Sequence, residues 1–315
     1  MFLDSIGTTP LLELKHLGRS SGGARILAKA EFLNPSGSVK DRPAWAIIRE
    51  GIRTGALNFD KTLLDATSGN MGISYAMICS ALGYKVALCL PRNVNQERKR
   101  ILRAFGADII ETDPLLGYEG AAEVAKTIFA KNPWLYFHPD QYNNEDNWRS
   151  HYNTTGVEIW EQTGGHVTHF VSGLGTAGTF VGVARRLKAF DPEIQTMIMQ
   201  PNSPLHGLEG VRYIPGSTAP SSFFDDDLND GRIIVTTEEA RQCTLALARR
   251  EGLFVGLSSG ANVAAAIKLA ADLPPHECVV TILCDTGFRY LGDKLWDAPN
   301  TSGRGEAPPK KYDFE

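Results

Sequence analysis

The sequence predicts an α/β fold with two doubly wound parallel-sheet domains. Short apolar runs of strand length alternate with longer helical patterns along most of the 315 residues. Such alternation is typical of parallel sheets that are covered by helices on both faces. A strand, a turn rich in serine and glycine, a helix and a second strand also occur twice, at 63–91 and at 169–201. This repetition predicts two similar α/β halves.

The individual elements follow from local patterns. The strand-like runs are, in chain order, RILAKAEF, TLLDA, YKVALCLP, ADIIETD, LYFHPDQY, HVTHFVSG, IQTMIMQP, RIIVTT and CVVTILCD. The helical patterns are PAWAIIREGIRTGAL, NMGISYAMICSALG, NQERKRILRAFG, YEGAAEVAKTIFAK, TGTFVGVARRLKAF, EEARQCTLALARREG and GANVAAAIKLAADL. Gly83, Gly106 and Gly252 close three of these helices, where we expect left-handed caps.

Polar stretches suggest how the chain is divided. We expect an N-terminal domain at 1–146 and a C-terminal domain at 147–296, separated near the polar stretch 144–148. The early segment at about 10–36 is a candidate to cross to the other half. The segment 201–230 is rich in Pro, Gly and Ser, and a loop of that length is usually functional or mobile. The polar tail at 297–315 is predicted to be disordered.

Composition argues against two classes of partner. The formal net charge is -4, with 22% charged residues, whereas a nucleic-acid surface needs a clustered basic face. The basic cluster at 98–103 fits the solvated side of a helix better. The N-terminus lacks a signal-peptide pattern, and no run approaches the ~18 apolar residues of a membrane span. We therefore expect neither nucleic acid nor a membrane as a partner.

The five cysteines form no C-x-x-C pair and lie mostly in apolar runs. This pattern is typical of buried thiols in a reducing compartment rather than of disulfides. The predicted location is therefore the cytoplasm.

Three unusual turns follow predicted strands. They are TSGNMG at 67–72, GLGTAGT at 173–179 and GLSSG at 256–260. Ligands of open α/β sheets bind beyond the carboxyl ends of the strands. These turns are therefore the candidate ligand-binding segments.

The turn at 173–179 fits the dinucleotide-binding pattern G-x-G-x-x-G. That hypothesis requires an acidic residue at the end of the next strand, but this strand ends in QPN at 200–202 and Asp191 lies before it. The hydroxyls of Thr176 and Thr179 instead favour a single phosphate monoester at a helix N-terminus. A tight turn that needs glycine only for packing is the alternative.

The turn at 67–72 contains no basic residue. The Thr67 and Ser68 hydroxyls, with successive backbone N–H groups, would suit a carboxylate. Ordinary helix capping by Ser68 or Asn70 is the alternative. Capping alone does not require both hydroxyls and two glycines, which favours the carboxylate site.

Lys40 ends the loop NPSGSVK at 34–40, directly before an amphipathic stretch. It is not a Walker lysine, because G-x-x-x-x-G-K-[ST] is absent from the sequence. From the residues alone two interpretations stay open. Lys40 is either a reactive amine or a solvent-facing residue within a capping box made by Ser38 and Asp41.

No metal site is predicted. His166 and His169 fall three residues apart in a strand-like run, so their side chains face opposite sides. The acidic stretch that starts at Asp225 begins like a calcium loop, but Asp230 replaces the required glycine and Thr236 the required glutamate.

The motifs NPSGSVKDR, TSGNMGI, GLGTAGT and GLSSGA occur in this order between about residues 6 and 295. Together they resemble the pyridoxal-phosphate enzymes of the cysteine synthase family. The stretches HYNTTGVEIWEQTGGHVTHFVSGLGTAGT and CDTGFRYL are similar to B-type O-acetylserine sulfhydrylases in particular. The resemblance implies pyridoxal 5'-phosphate as cofactor and the fold of the tryptophan synthase β subunit (fold type II), with the cofactor cleft between two domains. It also implies a homodimer.

By this resemblance, Lys40 carries the cofactor aldehyde as a Schiff base and later acts as the general base. Burial in an apolar cleft would lower its pKa and make a neutral amine available. Asp41 and Arg42 would support the loop and the helix start. The residues implied to bind the cofactor phosphate are Gly175, Thr176, Ala177, Gly178 and Thr179.

The resemblance also assigns the ring and the substrate. Asn70 is implied to hydrogen-bond the 3-oxygen of the cofactor, and Ser258 to be the partner of the pyridine nitrogen. A neutral hydroxyl does not enforce a protonated ring, so the ring is a moderate electron sink, which favours β-replacement over transamination. The residues implied to bind the substrate carboxylate are Thr67, Ser68, the backbone of Met71 and Gln141.

The implied reaction is β-replacement on an activated L-serine, either O-acetylserine or O-phosphoserine, by sulfide, thiosulfate or a similar nucleophile, giving L-cysteine. Arg212, in the irregular segment, is a candidate to bind an acidic leaving group such as phosphate.

Two departures keep other activities open at this point. Most family members have threonine where this chain has Met71, and plant β-cyanoalanine synthases share TSGNMG. The run YNNEDNWRSHY at 142–152 is similar to synthases that make diaminopropionate from phosphoserine. A catalytically silent binding protein is a remote alternative, which the joint presence of Lys40, Asn70, Ser258 and the phosphate turn disfavours.

Overall fold

The computed structural model of the chain describes residues 2–18, 23–67, 69–215 and 219–298. Its strands are β1 (Leu11–Glu13), β2 (Arg25–Ala30), β3 (Thr62–Ala66), β4 (Lys85–Pro91), β5 (Asp108–Thr112), β6 (Tyr136–Phe137), β7 (His169–Gly173), β8 (Gln195–Pro201), β9 (Gly231–Val235) and β10 (Cys278–Leu283).

From β2 onward, one or two α-helices lie between successive strands of these residues, except between β8 and β9. They are α1 (Asp41–Arg53), α2 (Asn70–Leu82), α3 (Gln96–Ala104), α4 (Gly117–Lys131), α5 (Asp146–Asn153), α6 (Thr155–Gln162), α7 (Gly178–Phe190), α8 (Thr237–Ala246) and α9 (Leu257–Ala271). A π-helical turn, Leu247–Glu251, continues α8.

The strands form two sheets. One sheet has the order β1-β2-β10-β7-β8-β9 and the other the order β5-β4-β3-β6. Every neighbouring pair is parallel except β1 and β2, which are antiparallel. Because β10 pairs with both β2 and β7, the N-terminal strands β1 and β2 lie in the sheet that the later part of the chain builds.

Both sheets are covered on both faces. Apolar side chains from α8 and α9 form the core on one face of the six-stranded sheet, and those from α6 and α7 form the core on the other. The four-stranded sheet is covered by α1, α2 and α3 on one side and by α4 on the other. Strand β10 is accordingly buried at every position, as expected of a central parallel strand. The predicted α/β class with two doubly wound parallel sheets is confirmed.

Most elements occur where local pattern places them. The caps at Gly83, Gly106 and Gly252 are confirmed, with φ of 77°, 78° and 71°. The predicted strand LYFHPDQY is reduced to Tyr136–Phe137. Strand β1 and helices α5 and α6 were not predicted, because they have only three to eight residues and are too short to show a sustained apolar period.

Helix α5 begins at Asp146, where the sequence suggested a division between two halves. It packs against α1 and also against α7. The polar stretch is therefore not a linker but a helix between the layers that cover the two sheets. The exact domain boundary stays a prediction.

In its described residues, the segment between β8 and β9 is irregular, as predicted, with only a short 3₁₀ turn at Asp226–Leu228. It nevertheless buries Leu208, Ile214 and Phe223. These apolar anchors hold the loop against the six-stranded sheet. Residues 216–218 and most of the tail predicted to be disordered, 299–315, lie outside the described residues.

Within the described ranges, no helix has the length and apolar character that a membrane crossing requires. In the same ranges, no cluster of three His, Cys, Asp or Glu side chains is arranged to hold a metal ion. All five cysteine thiols are free, and only Cys284 is not fully buried.

Candidate active site

The carboxyl ends of strands from both sheets face one cleft. In the six-stranded sheet the chain runs from β7 outward to β8 and β9, whereas β10 inserts on the other side of β7. In the four-stranded sheet β3 leads outward to β4 and β5, whereas β6 returns to its other side. Such switch points open a crevice beyond the strand ends. A single cavity is lined by the residues that follow β3, β6, β7 and β10, so it lies between the two sheets.

Lys40 lies in this cavity, at the N-cap of α1. Burial lowers the pKa of its amine, and the neighbouring Cys284 and Asp285 oppose this shift in part. A lysine with a lowered pKa supplies the neutral amine that attack on an aldehyde requires.

Asp41 stabilises the loop that carries Lys40. Its carboxylate accepts hydrogen bonds from the backbone N–H of Ser36 at 2.7 Å and from the hydroxyl of Ser74 at 2.6 Å. The helix start has no side-chain cap, and Ser38 instead accepts a bond from the backbone N–H of Lys40 at 3.3 Å. The capping-box interpretation of Ser38 and Asp41 is therefore wrong.

Arg42 anchors the first turn of α1. Its buried guanidinium forms a bidentate pair with Glu31 and a second pair with Glu158, all at 2.6–2.8 Å. Burial alone would raise the pKa of the Glu31 carboxyl, but Arg42 holds it below its usual value. Since removing one partner of a buried ion pair typically costs about 3–5 kcal/mol, this contact fixes the helix that begins next to Lys40.

The turn at 173–179 leads from β7 into α7 and lines the cavity. Ala177 is the N-cap of α7 with φ 67°, a left-handed conformation that turns the chain sharply into the helix. A Cβ atom on Gly175 would lie 2.7 Å from the Gly210 carbonyl oxygen, and one on Gly178 would lie 2.0 Å from Asn147 Oδ1. The glycines are therefore needed for packing, and the same packing exposes the N-terminus of α7 to the cavity.

Two residues of α5 support this turn and were not predicted. Asn147 donates to the Thr176 hydroxyl at 3.0 Å, and His151 Nε2 lies 3.3 Å from the Thr179 hydroxyl. Burial, aided by the charge of Arg42, lowers the pKa of His151 to about 3, so the ring stays neutral. Their four-residue spacing on one helix face was the available signal, but it required α5 to be recognised.

The turn at 67–72 enters the cavity from the other sheet. Thr67, Asn70 and Met71 line the cavity, and the Thr67 hydroxyl accepts a bond from the Gly69 backbone N–H at 3.4 Å. Gly69 is the N-cap of α2 and no side chain caps the helix, so capping by Asn70 is excluded. Ser68 lies outside the described residues. Gln141, which follows β6, completes this side of the cavity.

Asn70 is held by residues from the end of the chain. Its amide donates to Asp285 Oδ2 at 2.6 Å, and its amide oxygen accepts from Arg289. Tyr290 donates to the same carboxylate oxygen at 2.6 Å. An amide has two N–H donors, so one stays available to a ligand. Asp285 was not predicted as a site residue, because it is separated from Asn70 by 215 residues.

Ser258 lies in the first turn of α9 and lines the cavity beside Cys284. The Cys284 backbone N–H donates to the neighbouring Ser259 hydroxyl at 2.8 Å. Burial raises the pKa of the Cys284 thiol to about 11, so the thiol is protonated at neutral pH. The Ser258 hydroxyl therefore lies beside a neutral thiol, in a position from which it could hydrogen-bond a ring nitrogen without protonating it.

Arg212 is placed next to the cavity but is not among its lining residues. Its backbone N–H donates to the Leu174 carbonyl at 2.6 Å. Its guanidinium lies 4.5 Å from the centre of the Tyr142 ring, and Tyr142 lines the cavity. Contact between Arg212 and a leaving group stays a prediction.

An ion pair crosses the outer end of the cavity. Arg98, from α3, binds Glu209 of the irregular segment and lies 5.5 Å from the centre of the Tyr290 ring. The expectation that the basic cluster forms the solvated side of a helix is wrong for Arg98 and Lys99, which are buried. Arg100 and Arg103 are exposed, as expected.

The residues of the cavity fit pyridoxal phosphate. An amine with a lowered pKa and a helix N-terminus with two hydroxyls line the same space. Two buried polar atoms that border it, Ser172 Oγ and Asp285 Oδ1, have no hydrogen-bond partner among the described residues. Buried polar atoms are rarely left without partners, so a polar ligand is expected here.

Comparison with known proteins agrees with this chemistry. Residues 2–285 match the model of a family described as "Pyridoxal-phosphate dependent enzyme". The chain is 44% identical to a cysteine synthase of Aquifex aeolicus, over 93% of this chain and 91% of that protein. It is 40% identical to a cysteine synthase B of Pseudomonas aeruginosa, over 93% and 96%.

Solved structures show the same likeness. A crystal structure of cysteine synthase from Entamoeba histolytica superposes with a TM-score of 0.89 at 33% identity, covering 95% of this chain and 91% of that chain. The chain therefore belongs to the family of pyridoxal-phosphate-dependent enzymes, within which it is similar to the cysteine synthases.

Proposed function

We propose that the protein makes L-cysteine by β-replacement. The acetate or phosphate of an activated L-serine leaves the β-carbon, and a sulfur nucleophile such as sulfide takes its place. The observation that carries this proposal is the position of Lys40, whose amine shares one cavity with the N-terminus of α7 and with the turn at 67–72. The likeness to cysteine synthases supports the same reaction. When bound, the cofactor supplies an electron sink next to the substrate Cα.

Lys40 would hold the cofactor and serve as base. Its neutral amine can bind the aldehyde carbon. As a general base, Lys40 would take the proton from the substrate Cα and later return it. No other amine lines the cavity among the described residues.

The cofactor phosphate would bind at the turn 175–179. The first N–H groups of α7 have no partner within the helix, so they can donate to an anion, although that of Gly178 also makes a long bond of 3.4 Å to the Thr176 hydroxyl. Thr176 and Thr179 add hydroxyl donors on the same side. Gly175, Ala177 and Gly178 would contribute backbone N–H groups, since they also line the cavity.

Asn70 and Ser258 would orient the ring. The second N–H of the Asn70 amide would donate to the 3-oxygen of the ring. The Ser258 hydroxyl would hydrogen-bond the pyridine nitrogen without protonating it. A ring that is only a moderate electron sink favours early departure of the β-substituent.

Thr67, the Met71 backbone and Gln141 would bind the substrate carboxylate, with Ser68 as a further proposed contact. The first turn of α2 offers backbone donors where a carboxylate is expected. The Met71 side chain is only 2% exposed and packs in the core of the four-stranded sheet. It is therefore a wall of the pocket rather than a polar contact.

Arg212 is the proposed contact for an acidic leaving group. It lies behind Tyr142, so a small movement of that ring would bring its guanidinium to the cavity. We further propose that the protein is a cytoplasmic homodimer, with a domain boundary near residue 146. Free, mostly buried thiols support the reducing compartment.

A donor-by-nucleophile matrix tests the function. O-acetylserine and O-phosphoserine are each combined with sulfide, thiosulfate and cyanide, and the amino-acid product is identified by mass spectrometry. We expect cysteine from at least one donor with sulfide. Cyanoalanine as the main product would contradict the proposal. A preference for O-phosphoserine that Arg212→Ala abolishes would identify the leaving group as phosphate.

Lys40→Ala provides the control for the cofactor. Borohydride reduction of the wild-type holoenzyme, followed by peptide mass spectrometry, is expected to show the cofactor mass on the peptide with Lys40. The variant should lack that adduct and lose at least about 10³-fold in activity. A wild-type adduct at any other lysine would overturn the assignment.

A further inference from the structure

The pairing of β7 and β10 stops before either strand ends. Their register runs through His169 with Val279, Phe170 with Val280 and Val171 with Thr281. Strand β7 continues to Gly173 and β10 to Leu283, each paired only with its other neighbour. This is the switch point of the six-stranded sheet, and the separated ends border the cavity.

The side chain of Asn262 fills the place of the missing ladder bonds. Its Oδ1 accepts from the backbone N–H of Gly173 at 2.8 Å, and its Nδ2 donates to the Ile282 carbonyl at 2.9 Å. Nδ2 also lies 3.3 Å from Cys284 Sγ. A side-chain amide has the same donor and acceptor as a peptide group, so it can bridge two strands that are too far apart to pair directly.

Asn262 is also tied to the ring side of the cavity. It lies in α9, four residues after Ser258, so the two side chains share a helix face. It is only 2% exposed and itself lines the cavity. One amide therefore connects three elements: the strand before the phosphate turn, the strand before Cys284 and the helix that carries Ser258.

We infer that Asn262 is a positioning residue for the cofactor, which fixes the spacing between the turn at 173–179 and the ring contacts at Ser258 and Cys284. The inference rests on the proposed function, because it takes pyridoxal phosphate as the ligand. A cofactor held at both ends binds tightly only if its two binding elements keep one separation. Without the amide, the buried Gly173 N–H has no partner among the described residues, and the Ile282 carbonyl keeps only a weak contact with the Cys284 thiol at 3.9 Å, so the strand ends relax to find others.

Thr281 offers a matched control. Its hydroxyl donates to the Val171 carbonyl at 2.8 Å, so it joins the same two strands within the paired region. It is fully buried but does not line the cavity. Thr281→Val removes one buried hydrogen bond between β7 and β10 without changing the spacing at the cavity.

The test compares cofactor binding in Asn262→Ala and Thr281→Val. Apoprotein is titrated with pyridoxal phosphate to obtain the dissociation constant, and the bound phosphate is followed by ³¹P NMR. We expect Asn262→Ala to weaken binding about tenfold and to shift the phosphorus resonance. Thr281→Val should lower the urea midpoint but leave both cofactor signals as in the wild type. Equal cofactor affinities in the two variants would overturn the inference.

If Asn262→Ala does not fold, Asn262→Asp is tested in its place, because this substitution keeps the volume of the side chain. The ionised carboxylate still accepts from Gly173 but repels the Ile282 carbonyl. A protonated carboxyl can donate to that carbonyl, so the loss of affinity relative to wild type should shrink as the pH falls. A pH-independent loss would contradict the positioning role. If wild-type apoprotein binds no pyridoxal phosphate, the proposed function fails instead.

Discussion

The two strand-to-helix turns that meet in the cavity are built differently. The turn at 173–179 is filled: Gly175 and Gly178 are crowded, and Asn147 and His151 contact its hydroxyls. The turn at 67–72 leaves open space around Gly69, although Gly72 at its helical end is crowded by Thr67. Among the described residues, the Thr67 hydroxyl accepts only the long bond from Gly69. The turn proposed to bind the cofactor is thus pre-formed by its packing. The turn proposed to bind the substrate instead has unfilled space at Gly69.

Each turn has a buried titratable group next to it, and the pKa values of these two groups are shifted in opposite directions. Asp65, two residues before Thr67, has its pKa raised to about 7, mainly by burial and partly by Asp140. His151, behind the other turn, has its pKa lowered to about 3 by burial. Each group is therefore uncharged over much of the pH range: Asp65 because it stays protonated, and His151 because it stays deprotonated.

The largest difference between the two turns is expected when one glycine in each is replaced by alanine. Gly178→Ala places a Cβ 2.0 Å from Asn147 Oδ1, so it must displace the residue that holds Thr176. Overpacking of this kind costs about 1–3 kcal/mol or more, and we expect most of the bound cofactor to be lost.

Gly69→Ala is the matched change in the other turn. No atom lies within 4 Å of the added Cβ, and φ is -131°, which alanine adopts readily. We expect the free energy of unfolding to change by less than about 0.5 kcal/mol and the cofactor content to stay at the wild-type level. Absorbance of the cofactor and urea unfolding measure both outcomes. Similar losses in the two variants would remove the distinction between the turns.

The pH dependence of stability should change in opposite directions when each buried group is replaced. Because the folded-state pKa of Asp65 is raised from 3.8, its stabilising contribution is present at low pH and is lost as the pH rises towards 7. Because that of His151 is lowered from 6.5, its contribution is present above pH 6.5 and is lost as the pH falls towards 3. Each contributes up to about 1.4 kcal/mol per pH unit, with opposite slopes.

Urea unfolding between about pH 4.5 and 6.5 measures these slopes. Asp65→Asn should make stability rise more steeply with pH than in the wild type, and His151→Gln should make it rise less steeply. Parallel curves for the two variants would show that neither group titrates as the structure indicates.

Removing one hydroxyl from each turn should give the smallest effects. Thr67→Val deletes a proposed contact to the substrate carboxylate, so we expect KM for the amino-acid donor to rise roughly fivefold, or about 1 kcal/mol, with unchanged cofactor affinity. Thr176→Val removes one of the two acceptors of the Asn147 amide, which keeps only the Gln141 carbonyl, and should weaken cofactor binding by a similar factor. Steady-state kinetics measure KM, and titration measures cofactor affinity, in each variant. If Thr67→Val weakened cofactor binding and Thr176→Val raised KM instead, the proposed roles of the two turns would be reversed.

Local patterns were enough to predict nine of the ten described strands, most helices and the turns that line the cavity. They work because apolar periodicity and Gly-rich turns are properties of neighbouring residues. The residues that support the site were missed because their partners are far apart in the chain. Asn70 meets Asp285 and Arg98 meets Glu209 only after the two sheets are assembled. Helix α5 was missed because its buried face is polar, with Asn147 and His151 where a core helix would show Leu or Val.

The place of β10 constrains how the chain can be made in the cell. Strand β2 pairs with β10, whose residues leave the ribosome about 250 positions later. At ~5–20 residues per second, the amino-terminal strands wait roughly 10 to 50 s for that neighbour. During this interval the edges of β2 and β7 that later meet β10 are open to other chains. Nascent protein that stops short of residue 278 should therefore be a strong client for chaperones and a ready substrate for aggregation.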